Sequence, residues 1–557
     1  MKLVISYLIS IVFFIGCAQK NDPTPTFTRD VAPIIYKNCT PCHRPNGSGP
    51  FPLITYEDVA NRAQQIAQVT SSRYMPPWQP SIGYSDFLGE RSLTKSEISI
   101  LNEWANKKTP RGEHSELPTP PNFADQWQLG TPDLIVKMDV PYILPAEGFD
   151  QFRNFVIPIP TDSVHYVEAV DFYSENTKVI HHAVLMFDKS GKARKHDGED
   201  ITIGFDGMVF GEAQGPDGHF LGWTPGKQAI RTPELAWKLT PKTDLVAQLH
   251  MLPSGRPESV VVEVGFYFAE IAPTITPTLL RLGRKDINIA AGNSNYSLKD
   301  TFHLPVDVEV ASIYPHAHYL ATKMCVYAKN ISGEKIWLLH IDPWDFNWQD
   351  DYRYKKPVKL KAGSQIFMEY TYDNSSGNPF NFNDPPQPIF YGLQSRDEMG
   401  DLTLQVVTKD ENDRVKLKNH YAKKWIKQEI SGYEMLTTTN PQNSEHQHTL
   451  AMLYMQVGQF QKAKSHFLLS INANPNYSEA RVNFAIALMR NGKFKNAQKQ
   501  LTIALENAPN YADAHFNLGM MLFKSGSKKI GTYHLEEAAR LRPEMAEAIK
   551  QRIVQLK

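Results

Sequence analysis

Cysteine is scarce in this chain, with four in 557 residues. That excludes a disulfide-stapled scaffold, which concentrates many bridges in little chain. Net charge is missing as well: 59 Lys+Arg stand against 59 Asp+Glu. The basic excess of a general nucleic-acid binder is therefore absent. Beyond the first sixteen residues no segment approaches eighteen consecutive apolar residues, so nothing further along reads as a membrane-spanning helix. What is present is a globular balance of 41% hydrophobic and 21% charged residues, with 18 His. At about 150 residues per domain the length allows three or four domains. The zero charge is an average. Residues 444–557 carry 15 Lys+Arg against 8 Asp+Glu, and the remainder carries 44 against 51.

The N-terminus reads as an address. Met1-Lys2 precedes an apolar run from Leu3 to Gly16, interrupted by Ser6, Tyr7 and Ser10. It is too short to span a bilayer and has the form of a secretory signal. It ends in Phe14-Ile15-Gly16-Cys17, which resembles a bacterial lipoprotein lipobox with Phe where Leu is usual. The resemblance implies a signal peptide over 1–16, lipidation of Cys17 and a tether over 17–25. The protein would then be exported and lipid-anchored in the cell envelope, on a periplasmic or outer-membrane face. An ordinary signal peptide followed by a coincidental Cys is the alternative.

Cys39-Thr40-Pro41-Cys42-His43 is a C-x-x-C-H pattern. Two thiols at this spacing suit thioether links to a haem, and the adjacent His suits its iron. A zinc site would need a second ligand pair, and Cys17 and Cys325 are remote. A thioredoxin-like pair would follow a strand, whereas loop residues surround this motif. Met75, in Arg73-Tyr74-Met75-Pro76-Pro77-Trp78, has no competing thioether between Met1 and Met138 and is the candidate sixth ligand; His114 is a weaker one. Residues 26–116 resemble a small class I cytochrome c domain, which implies an all-α fold and one covalently bound c-type haem.

Residues 117–410 alternate short β-branched and aromatic runs with Pro, Gly, Asn and Asp turns, the pattern of antiparallel β-sandwiches. At nearly three hundred residues they read as two, over 117–268 and 269–410. Histidines fall in particular places here. His181-His182 interrupt an apolar strand, where a buried polar pair needs partners such as a metal. Consecutive strand residues face opposite ways, so joint ligation requires a local twist or different ring nitrogens. His250 lies on a second apolar strand and could complete a three-His site. His316 and His318 share one strand face, and Met399 could add a thioether. Two imidazoles with a thioether suit redox copper.

This ordered set resembles the type II copper, ascorbate-dependent monooxygenases, the family of peptidylglycine α-hydroxylating monooxygenase and dopamine β-monooxygenase. The resemblance implies one copper on His181, His182 and His250 and a second on His316, His318 and Met399. The second would bind and activate O2 while the first supplies an electron, with jelly-roll-like sandwiches presenting both. Catalysis would then centre on His316, His318 and Met399. Two features depart from the family. The animal enzymes are disulfide-rich, and this region has only Cys325. The polar residues by which the peptide-amidating member holds a peptide carboxylate are not reproduced: Tyr314 lies two before His316, and Asp401 and Thr403 follow Met399. Neither peptide amidation nor catecholamine hydroxylation is therefore expected. His219 is an additional candidate near the cleft, with a structural role as the alternative, and His165, His303 and His340 read as ordinary.

Residues 411–443 read as a polar linker with one helix around Tyr421 to Ile430. From 444 to 557 a period of 34 sets in: Pro475, Pro509 and Pro543 repeat, as do Gly458, Gly492 and Gly526. This is the tetratricopeptide pattern of stacked helix pairs, which serves as a dock for a peptide or protein partner, with a purely structural cap as the alternative. The chain as a whole is expected to be a copper monooxygenase acting on an unknown small-molecule or peptide-like substrate. An external donor would feed it electrons through the haem. The alternative is a non-catalytic surface electron-transfer or assembly lipoprotein that docks partners through its repeats.

Overall fold

The computed structural model describes residues 24–45, 47–121, 126–197, 202–207, 210–543 and 546–556. The expected signal peptide and Cys17 lie outside them. The chain forms two compact units, one from the residues up to Trp78 with Glu90–Gly130, the other from Gln79–Gly89 with Thr131–Lys557. No helix among the described residues is long and apolar enough to cross a membrane.

The first unit is helical. Its elements Ala32–Asn38, Tyr56–Ala60, Ala63–Ser71 and Lys95–Asn106 are too short to stand alone. Two begin in reciprocal capping boxes, Thr55 with Asp58 and Thr94 with Glu97, which satisfy donors that a helix start leaves open. A common core of Phe27, Val31, Ile35, Val59, Ile66, Leu101 and Trp104 holds them together.

Antiparallel sheets dominate residues 131–408 of the second unit. In the first part a four-stranded sheet (Leu134–Lys137, Glu263–Phe268, His165–Tyr173, Trp237–Leu239) faces a five-stranded one. The latter runs Phe205–Asp206, Gln151–Pro158, Asp244–Met251, Ile180–Asp188, Gly222–Trp223. Side chains of both sheets, including Val167, Phe266, Phe155, Leu185 and Leu249, form one core. Every residue of the central strand Asp244–Met251 is buried.

In the second part, Thr278–Gly283, Gly400–Thr408, Val308–Ala317 and Tyr352–Leu360 form one sheet. Tyr296–His303, Gln365–Tyr372, Ala321–Lys329 and Lys335–Ile341 form the other. The hydroxyls of Tyr370 and Tyr372 donate across to the carbonyls of Asp401 (3.1 Å) and Met399 (2.9 Å). The approach is so close at Gly400 that a Cβ there would overlap Leu298 and the Tyr372 hydroxyl.

Residues 79–89 depart from the expected 26–116 domain, because they belong to the sheet-rich unit. The Ser81 N–H donates to the His340 carbonyl at 2.7 Å, and the Leu88 N–H to that of Arg353 at 2.8 Å. These partners sit on the edge strands of the two facing sheets, so one strap covers both edges. Phe87 buries its ring against Tyr354.

The expected linker also differs: Glu411–Thr439 is one continuous helix of 29 residues. Its early turns lie on edge strands of both sheets, where the Tyr421 hydroxyl accepts the Arg281 N–H at 3.1 Å and Lys424 meets Asp300 at 2.5 Å. Its later residues Ile430 and Tyr433 pack on the repeat core. Two short patches on different partners leave no single apolar stripe, which is why the segment looks like linker in sequence. The helix pairs then follow: Ser444–Gln456 with Phe460–Ala473, Ser478–Arg490 with Phe494–Asn507, and Ala512–Lys524 with Lys528–Leu541. Each pair is pinned at the same place. Gln447–His466 (2.7 Å), Arg481–Gln500 (2.9 Å) and His515–His534 (2.9 Å) are hydrogen-bonded across it. The first member of each also donates back to the carbonyl of Pro441, Pro475 or Pro509.

Candidate metal centre

His250 sits on the central strand Asp244–Met251, opposite Phe152 on one side and His182 on the other. Register shifts between Ile180 and His182: Ile180 pairs with Met251 and His182 with His250, so His181 is an extra residue, a β-bulge. The bulge supplies the local twist that adjacent histidines need to share one site. Candidate ligand atoms of His181, His182 and His250 all lie within 4.8 Å of one another.

The hydrogen bonds around these rings select particular nitrogens. His250 Nε2 bonds Asp150 Oδ2 at 3.0 Å, and its buried Nδ1 has no partner. Phe152 stacks on that ring at 4.1 Å. The Nδ1 atoms of His181 and His182 face each other at 3.1 Å. His181 Nε2 is buried beside Asn347 with no hydrogen bond of good geometry. Burial holds the His181 ring down at about 4, with the neighbouring His250 adding to it, and pushes His182 well below its usual range. His181 and His182 are thus held neutral, and with the unsatisfied nitrogens of His181 and His250 the three rings form a donor set that fits a copper or zinc ion. A carboxylate behind His250 is the usual support for such a ligand.

His316 and His318 end the strand Val308–Ala317 and the turn after it, their rings 5.2 Å apart. His316 Nδ1 bonds Gln349 Oε1 at 2.5 Å, and His318 Nδ1 bonds the Asp397 carbonyl at 3.1 Å. Both rings therefore keep Nε2 for a ligand. Burial lowers both, His318 to about 3, and Asp401, opposite His316, opposes the shift there. Met399 adjoins the start of the neighbouring strand Gly400–Thr408. The buried Glu398 ties the two segments together, accepting N–H groups of His318 (2.5 Å), Leu320 (3.0 Å) and Met399 (2.9 Å). Burial pushes its carboxyl up to about 8 against the pull of those three donors. Two imidazoles, with the backbone of Met399 tied to that of His318 through Glu398, fit copper better than a hard cation.

A cavity of about 30 Å3 between the two parts is lined by His181, His182, Phe220, Trp223, Tyr314 and Gln349. Phe220 and Tyr314 stack across it at 4.4 Å. His219 is not a ligand in this arrangement: both its ring nitrogens face backbone carbonyls, of Asp217 at 2.7 Å and Leu235 at 2.6 Å. It clamps two loops.

In the helical unit, Cys39 closes the helix Ala32–Asn38, and the N–H groups of Cys42 and His43 donate to its carbonyl at 3.2 and 2.9 Å. Both thiols are free. Burial, with Cys42 beside it, pushes the Cys39 thiol up to about 12, opposite to the lowered thiol of a reactive redox pair. His43 Nδ1 bonds the Phe51 carbonyl at 3.1 Å, which leaves Nε2 for an axial bond. A Cβ on Gly49 would press on His43 Nδ1 at 2.8 Å, so glycine permits the close turn. These residues fit a c-type haem. Met75 follows the helix Ala63–Ser71, half-buried, its N–H donating to the Val69 carbonyl at 3.1 Å. His114 is exposed.

Asp150, Gln349 and Glu398, which support the ligands, had no signal in the sequence, apart from the position of Glu398 beside Met399. Comparison with known proteins speaks to the C-terminal array. Residues 447–477 and 482–529 match tetratricopeptide repeat families. Among solved structures the chain is similar to MamA, with 18% identity over 26% of this chain and 90% of that one, at a TM-score of 0.21. It is likewise similar to YrrB, titled a TPR protein with an unusual peptide-binding site, with 21% identity over 25% of this chain and 73% of that one, at a TM-score of 0.22. No curated protein matches the chain.

Proposed function

We propose that this protein is an exported, lipid-anchored dicopper monooxygenase that hydroxylates a C–H bond, with electrons reaching the copper through the fused c-type haem. The observation that carries the reading is the bulged three-His cluster with unsatisfied nitrogens, near a second His pair whose Nε2 atoms are both left open. His181, His182 and His250 would hold one copper, and His316, His318 and Met399 the other. Bound copper supplies one-electron redox chemistry and O2 activation. One oxygen atom enters the product and the other leaves as water, which consumes two electrons and two protons from an external donor.

The protein's part is to present and protect these groups. Asp150 takes the Nε2 proton of His250 in a hydrogen bond, so its Nδ1 is the donor atom. Gln349 and the Asp397 carbonyl do the same for the Nδ1 positions of His316 and His318. Phe220 and Tyr314 narrow the cleft against bulk water. Cys39, Cys42 and His43 would hold the haem, with Met75 as its sixth ligand. The repeats suit a protein partner.

The test is to reconstitute haem and copper, reduce the haem, and follow its O2-dependent reoxidation with candidate C–H substrates, alongside a search for hydroxylated products missing from a strain that lacks the protein. Copper-dependent product supports the reading. A copper-free protein that still docks partners through its repeats would favour the non-catalytic alternative.

A further inference from the structure

One loop, Asp342–Asp351, touches candidate ligands of both clusters. The Trp344 indole N–H donates to the His318 carbonyl at 3.1 Å. Phe346 lies nearly parallel to His181, with ring centroids 5.5 Å apart, and edge-on to His318 at 5.7 Å. Gln349 holds His316 Nδ1, and Asp351 pairs with Lys227 of the first sheet pair. Such a loop positions both clusters only if its own backbone is fixed.

Gln79 fixes it. Its Oε1 accepts the Asp345 N–H at 2.7 Å and its Nε2 donates to the Trp348 carbonyl at 2.7 Å. One side-chain amide thus grips the short turn Phe346–Trp348 from both ends. Gln79 is in turn anchored by the strap it begins, through the pairing of Pro80 with Ile341 and the Ser81 N–H bond to His340. In sequence Gln79 follows Met75 by four residues, so the clamp belongs to the same short motif as the thioether candidate.

We propose that Gln79 is a positioning residue for both histidine clusters, acting through Phe346 and Gln349. The inference rests on the copper reading for its meaning, while its geometry stands without metal. Two variants of the full-length protein test it. Gln79→Leu keeps the size and removes both hydrogen bonds; Gln79→Glu keeps the acceptor for Asp345. In metal-free protein, histidine acylation read residue by residue should rise about threefold or more at His181 and His316 in Gln79→Leu, because loosening the loop opens them locally. His448 and His466 in the repeats should be unchanged. In copper-loaded protein, Gln79→Leu should retain its copper but alter the Cu(II) electron paramagnetic resonance spectrum, and Gln79→Glu should recover part of the wild-type signal. Unchanged acylation together with an unchanged spectrum overturns the proposal, as does a uniform rise at every histidine. If wild-type protein binds no copper, the copper reading fails and the acylation pattern alone decides for or against the clamp.

Discussion

The two histidine clusters are built in different ways from the same side chain. The first gathers three imidazoles on neighbouring strands by inserting one extra residue, His181, into a sheet. The second gathers two imidazoles at a strand end and ties them to the Met399 segment through one buried carboxylate, Glu398. Their hydrogen-bond partners differ in charge as well, although Asp401 also lies opposite His316. His250 leans on the carboxylate of Asp150, whereas His316 and His318 lean on an amide and a backbone carbonyl. A carboxylate partner makes an imidazole a stronger donor and favours the more charged metal, while neutral partners with a thioether favour Cu(I). The contrast teaches how one chain would hold one metal at two potentials, with electrons running from the three-His cluster to the Met cluster.

Ligand removal should break the comparison most completely. His250→Ala should take copper from about two per chain to about one and lower product formation by roughly a hundredfold or more. Met399→Ala should instead weaken Cu(I) at the other cluster. Metal analysis on each variant separates the two losses.

Exchanging the supports sharpens the comparison. Asp150→Asn should weaken copper at the three-His cluster by about 10- to 100-fold in chelator competition. Gln349→Leu should act on the other cluster alone and less strongly, because the acceptor it removes is neutral. Equal effects of both variants on both clusters would erase the distinction drawn between them.

A pH effect should be the smallest. Burial holds His181 at about 4 and His318 at about 3 in the folded protein. An unfolded histidine takes its proton near 6.5. Below that pH the unfolded chain binds more protons than the folded one, so stability is present above about 6.5 and is lost as pH falls. Metal-free protein should therefore melt several degrees lower at pH 5 than at pH 7.

Much of this architecture was legible in sequence, and for physical reasons. The repeats announce themselves because each helix pair contacts only its neighbours, so Pro475, Pro509 and Pro543 recur without interruption. His181-His182 stand out because a polar pair in an apolar strand is costly unless something engages it, and His316/His318 because their spacing puts both on one strand face. What could not be read was set by partners distant in the chain. The bulge at His181 exists only against the register of the His250 strand. Asp150 lies 100 residues from His250, and Gln349 lies 33 from His316. The strap Gln79–Gly89 looked like part of the helical domain because nothing local marks a short segment that pairs with two edges at once. Only the core of the helix Glu411–Thr439, around Tyr421 to Ile430, is legible; its full length is hidden for a related reason, since its buried faces are small and serve two neighbours.

Copper content of the purified, copper-exposed full-length protein tests the central claim most directly. The account predicts about two copper ions per chain, one lost in His250→Ala and the other in Met399→Ala. A folded wild-type chain that binds no copper, or copper that neither substitution removes, would contradict it.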